Sequence, residues 1–186
     1  TDTRQQILDA VSSVIVREGV RGASLRTVAE EAEVSLGLLS YHFDDKQTLI
    51  GAAFERASSR LLEASVAAAQ REDGADERVR AFLRCSMTDE FLDEEYLRLR
   101  ISLWAVALTD PAFAAVDAAF YEAYAGHLRD LIATARPALD AAAVAARASD
   151  MINMSNGLWL DYARRPDAVE LERSLRQCEA IGLAPV

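Results

Sequence analysis

Apolar residues recur along this chain at the three- and four-residue spacing of an α-helix, and no stretch alternates with the period of two that a strand needs. Ile7, Val11, Val14 and Ile15 share one helical face, which predicts a first helix from about Thr3 to Glu18. Thr3 and Gln6 fit a capping box at its start, and Gly19 is placed to stop it. Ser24 and Ser35 each precede a short apolar run and can cap two short helices, the second ending near Phe43. Asp44 or Asp45 then caps a long fourth helix, whose buried face includes Leu49, Ile50, Phe54, Leu61 and Leu62. After the connector "REDGAD", Val79, Phe82, Leu83 and Met87 mark a fifth helix. Leu97, Ile101, Trp104 and Leu108 mark a sixth, apolar nearly all round as a central core helix is. Asp110 and Pro111 open a seventh, striped by Phe113, Val116, Phe120, Tyr124, His127 and Leu131. Pro137 and Pro166 set off an eighth and a ninth. The expected fold is all-α, with about nine helices.

Composition narrows the function classes. No apolar run reaches the roughly 18 residues of a membrane span, and the front of the chain reads as an amphipathic helix rather than a signal peptide. Cys85 and Cys178 have no metal-type spacing, so a reduced, cytoplasmic protein is expected. A net charge of −10 argues against a membrane surface or non-specific nucleic acid as partner. His127 near Asp130 is not a metal-ligand set, and no cofactor fingerprint appears. No catalytic triad or carboxylate pair is brought together by the helical reading, so an enzyme is not expected.

Two short helices joined by a tight turn and braced by a third make a helix-turn-helix, here with Val28, Ala29, Ala32, Val34, Leu39 and Phe43 as its small core. The short third helix carries no acid before Asp44. Its outward positions include Ser35, Gly37, Ser40, Tyr41 and His42, a surface that can enter a major groove without repelling phosphate. Lys46, the only lysine, sits in the first turn of the next helix. A cation there opposes the helix dipole at a cost of about 0.3–1 kcal/mol, which a bound phosphate would offset.

The run "SLRTVAEEAEVSLGLLSYHFDDKQTLI" resembles the DNA-binding signature of the TetR family of bacterial repressors, over about residues 5–55. The resemblance implies a DNA-binding domain over 1–45, with Thr27, Ser35, Gly37, Ser40, Tyr41, His42 and Lys46 contacting operator DNA. It implies a helical ligand-binding and dimerisation domain over 46–186. The phrase "NGLWLDYA" at 156–163 is similar to the ligand domain of choline-responsive betaine-pathway repressors. Two positions depart from the family pattern. Glu33 stands where the turn usually has glycine, and a left-handed non-glycine residue costs about 1–2 kcal/mol. Ser40 stands where many members carry an aromatic, which shifts weight to Tyr41.

Charge raises an objection. Residues 1–46 hold five cations against eight carboxylates, net −3, although phosphate contacts dominate DNA affinity. The geometric resolution expected is that Glu30, Glu31 and Glu33 face away from the groove. The alternative is a helical small-molecule sensor or carrier that does not bind DNA.

For a small-molecule effector, Trp104, Phe120, Tyr124, His127 and Trp159 can line a cavity between helices, or can be ordinary packing. Asn153 and Asn156 interrupt an apolar helix and either meet a ligand or face solvent or a dimer seam. Aromatic rings near acids suit a cationic, choline-like compound by cation–π contact. The leading expectation is therefore a homodimeric, ligand-responsive repressor that binds a near-palindromic operator and is released by its effector.

Overall fold

In the computed structural model, which describes residues 2–185, the regular structure is helical throughout and no strand occurs among the described residues. Thr1 and Val186, the outer ends of the two expected domains, lie outside them. In chain order the helices are α1 (Thr3–Gly22), α2 (Leu25–Glu31), α3 (Leu36–His42), α4 (Lys46–Gln70), α5 (Ala75–Cys85), α6 (Asp89–Leu92), α7 (Glu94–Ala107), α8 (Pro111–Ala135), α9 (Ala141–Arg164) and α10 (Ala168–Gly182). Nine correspond to the expected helices, and the addition is α6, a single turn too short to leave a periodic signal.

Capping chemistry explains most boundaries. Ser24 Oγ accepts from the Thr27 N–H at 3.0 Å and Ser35 Oγ from the Leu38 N–H at 3.1 Å. Asp45 accepts from the Thr48 N–H at 2.7 Å, which holds its carboxyl below the ordinary aspartate value. Asp110 accepts from the Ala112 N–H, with Pro111 first in α8. At the chain's start the expected capping box does not form. Asp2 caps α1, while Gln6 reaches away to donate to the Ala32 carbonyl at 2.7 Å. Gly19 breaks the α1 backbone with φ +74°, and one further turn runs to Gly22.

The chain forms two compact units. The first comprises the residues up to 59 together with 95–120, and the second 60–94 together with those from 121 onward. Compactness and the expected functional division at residue 45 therefore draw different lines. In the first unit Ile7, Leu8, Val11, Val14 and Ile15 of α1 are buried, as are Val28, Ala29, Ala32, Leu39 and Phe43 of the helix-turn-helix. Each large apolar side chain so buried contributes about 1.5–3 kcal/mol. The sixth expected helix, α7, is not apolar all round. Its buried face is Tyr96, Leu97, Leu99, Arg100 and Leu103, while Leu108 lies beyond its end and is 87% exposed.

In the second unit α9 and α10 pack closely. A Cβ at Gly182 would lie 2.1 Å from Met151 Sδ, so a larger residue there would force the buried Met151 side chain to move. Arg136 binds the Asp76 carboxylate at 2.6 and 3.0 Å and also donates to the Leu183 and Ala184 carbonyls at the end of α10. Arg84 reaches Glu179 at 2.5 Å and Glu172 at 3.0 Å, joining α5 to α10.

Candidate nucleic-acid interface

The turn between α2 and α3 keeps the geometry that glycine usually provides. Glu33 adopts φ +54° with an exposed side chain, so the strain anticipated from the sequence is present and the turn is not rebuilt around it. Beneath it, fully buried Leu39 and nearly buried Phe43 fix α3 by one face. Arg4 stacks its guanidinium 5.4 Å from the Phe43 ring centroid.

The opposite face of α3 is open. Ser35, Gly37, Ser40 and Tyr41 are exposed, Tyr41 at 83%, while Leu36 and Leu38 lie partly open beside them. His42 is half-buried and meets the Tyr41 ring edge-on, with centroids 5.4 Å apart. Nothing inside the chain demands glycine at residue 37, since a Cβ there would lie 4.0 Å from its nearest neighbour. Thr27 is half-buried and shares a 2.7 Å hydrogen bond with the Ser24 hydroxyl. Lys46 Nζ donates to the Arg21 carbonyl at 3.0 Å, at the end of α1. An ammonium carries three protons, so this bond leaves donors for an anion. The lysine thus answers the dipole of α1 while standing at the start of α4.

Half of the acids of this region are paired with arginines. Glu31 lies 2.9 Å from Arg17, Glu18 3.0 Å from the same guanidinium, Glu30 3.2 Å from Arg26 and Asp9 2.5 Å from Arg56. The Arg17 hydrogen bond, aided by Ser13, holds the Glu31 carboxyl below its ordinary range. Four of the eight carboxylates that set the net charge of −3 are in this way matched by arginines, one of them, Arg56, drawn from α4. No carboxylate belongs to α3 itself.

The residues considered for an effector divide between the two units. Trp104 and Phe120 belong to the first, and both rings face Arg100, whose guanidinium carbon lies 5.4 and 5.1 Å from their centroids and 5.3 Å from that of Phe54. Arg100 is 1% exposed and donates to Ser58 Oγ at 2.6 Å, but its Nε–H has no partner. Burial pushes its pKa below the ordinary arginine value, against the opposing fields of Tyr96 and Asp117. In the second unit Tyr124 stacks on Phe82 at 4.6 Å and His127 lies 6.5 Å from the same ring. Phe82 and His127 also line an open groove of about 300 Å³ with Val66, Arg78 and Asp130. Trp159 is buried and donates its indole N–H to the Ser86 carbonyl at 2.7 Å. Asn153 and Asn156 are exposed, on the outer face of α9. Arg100 escaped the sequence reading, yet the signal was there: an arginine three residues from both Leu97 and Leu103 sits on an apolar helix face.

Known proteins carry the same plan. Residues 7–53 match the family described as bacterial regulatory proteins, tetR family, and residues 75–181, more than half of the chain, match the C-terminal region of BetI-type transcriptional repressors. The HTH-type transcriptional regulator BetI of Ectopseudomonas mendocina is 27% identical over 180 residues, covering 93% of this chain and 88% of its own length. That of Paraburkholderia phytofirmans is 26% identical over 178 residues with the same coverage. A transcriptional regulator from Pseudomonas aeruginosa superposes with a TM-score of 0.85 at 26% identity, covering 96% of this chain and 87% of that one. A regulator from Saccharomonospora viridis, solved in complex with choline, shares the fold with a TM-score of 0.78 at 17% identity, over 94% of this chain and 92% of that one. With a reading head of one type and a C-terminal region of the other on a single polypeptide, the chain belongs to the TetR family of bacterial transcriptional regulators and has a BetI-type C-terminal domain.

Proposed function

We propose that the chain works as a cytoplasmic homodimer that represses transcription by holding a near-palindromic operator and releases it on binding a small molecule. It acts by binding and not as an enzyme. Residues 1–45 read DNA, and 46–186 bind effector and partner subunit. The observation that carries the reading is the acid-free, outward face of α3. Ser35, Ser40, Tyr41 and His42 offer hydrogen-bond donors there, and Gly37 lets the backbone approach a phosphate or base edge. Thr27 and Lys46 flank it as phosphate contacts.

Dimerisation through α9 and α10 would set two such faces on successive major grooves, about 34–36 Å apart or a multiple of that. Ala142, Ala146, Asn153, Asn156 and Leu160 lie exposed along one side of α9, and Val169 and Ile181 lie exposed on α10. These positions give the two asparagines a role at the seam. The helix α4 carries residues of both units, so an effector that tilts it changes the half-site spacing. An effector that prefers the DNA-incompetent state by about 1–3 kcal/mol weakens operator binding about 5- to 150-fold.

The choline complex of the Saccharomonospora viridis regulator supports a choline-like cation as effector. The aromatic rings that this idea needs are only partly available, because Trp104 and Phe120 already face a resident cation. Tyr124, His127 and Trp159 remain as candidate lining residues of the second unit.

Selection of genomic fragments at low salt tests the function. Recovery of a duplex with two related half-sites is expected, lost in His42→Ala and Lys46→Ala while the dimer persists. Recovery of no duplex would favour the alternative of a sensor or carrier without DNA, to which the net charge of residues 1–46 lends its support.

A further inference from the structure

Among the described residues, Arg100 is the one charged side chain in the most fully buried group. A buried guanidinium is ordinarily matched by a carboxylate, because a desolvated charge without a partner is costly. Here the surroundings are three aromatic rings and one serine hydroxyl. Asp117 acts on it only through its field and forms no hydrogen bond or ion pair with it. One N–H of the fork, Nε, points at nothing that can accept it. Trp104 and Phe120 are themselves only half-buried, while Arg100 and Phe54 are buried.

We infer that Arg100 is the counter-charge for an effector bearing one negative group on an apolar body, a small organic monocarboxylate, seated in the cage of Phe54, Trp104 and Phe120. The inference rests on the proposal that the chain responds to a small molecule, and it sets an anion in place of the choline-like cation considered there. A single guanidinium with no second cation beside it suits one carboxylate. The carboxylate would take the orphan Nε–H together with a neighbouring guanidinium proton, the paired geometry that favours arginine over lysine. The rings that hold the guanidinium by cation–π contact in the empty state would pack on the ligand's apolar part in the occupied one. A quaternary ammonium would instead compete with a fixed positive charge for the same ring faces.

Thermal melting of the full-length protein with hexanoate, phenylacetate and choline, each at millimolar concentration, tests this. Either carboxylate is expected to raise the melting temperature while choline leaves it unchanged, and the rise is expected to vanish in Arg100→Met. Arg100→Gln provides a second variant that removes the charge but retains a donor for Ser58, should the methionine variant fail to fold. Stabilisation by choline alone, stabilisation by carboxylate that survives in either variant, or no response to any of the three probes overturns the inference. A parallel operator titration separates the two proposals. Carboxylate stabilisation through Arg100 with no change in operator affinity upholds the site and removes its role as the effector switch. Release of operator by choline with wild-type behaviour in Arg100→Gln upholds the switch and removes the site.

Discussion

The outward face of α3 and the aromatic cage on α7 and α8 lie in the same compact unit and handle charge in opposite ways. At α3 the helix itself carries no acid, its single nearby ammonium leans on a helix end, and Glu30 and Glu31 of α2 are tied to arginines. In the cage a buried guanidinium is held among rings with one hydrogen bond, and the Asp117 carboxylate acts on it only through its field. Exposed groups are hydrated in the free protein, so α3 bears no standing desolvation cost before it binds. A buried cation has lost its water and keeps a standing demand for a partner. On the two proposals, the first region is a docking surface and the second is the one that takes an anion.

The contrast can be broken most directly at the DNA face. His42→Ala and Lys46→Ala are each expected to weaken operator binding by about a hundredfold or more, because a dimer loses each charge-assisted contact of about 1.5 kcal/mol twice. Fluorescence anisotropy reads the loss, and size-exclusion chromatography checks that the dimer persists. Loss of the dimer would place these side chains in the fold and not at the groove. At the cage, Ser58→Ala removes the guanidinium's one hydrogen bond. It is expected to destabilise the protein by about 2 kcal/mol in denaturant unfolding, with operator affinity unchanged. A neutral result would mean that the rings alone satisfy the charge.

Smaller effects sharpen the comparison. Glu33→Gly relieves about 1–2 kcal/mol of left-handed strain and gives back about 0.4–1 kcal/mol through the more flexible unfolded chain. A net gain of about 1 kcal/mol or less is expected in thermal melting, together with tighter operator binding from the lost negative charge. The smallest effect concerns acid. The Glu31 carboxyl lies below its unfolded value of 4.5 because of Arg17, so its stabilisation is complete above that pH and is lost as pH falls through the folded value. Glu31→Gln is expected to flatten the acid limb of the stability profile slightly, and an unchanged limb would show the exposed pair to be idle.

The α3 face proposed to meet DNA was legible in the sequence because the signals that build it are local. Ser24, Ser35 and Asp45 cap helices within three residues of themselves, and the acid-free run of α3 is visible as a string. Asp2 in place of Thr3 at the start of α1 shows the limit of that reading, since Gln6 finds its better partner in Ala32, 26 residues away. The cage was not legible for the same reason. Arg100, Ser58 and Phe120 come from three helices, and only the fold brings them together. Glu33 lies between these cases: its strain could be named from the sequence, but that the turn would keep its form and bear it could not.

A neutral reading face should bind DNA with few ion pairs, and the salt dependence of operator affinity measures this. Each phosphate neutralised contributes about −0.9 to the slope of log affinity against log salt. With Lys46 as the principal ammonium of each subunit, a dimer is expected to show a slope of about −2 to −4. A slope near −8 or steeper, or no specific duplex at any salt concentration, would contradict a neutral face as the means of binding.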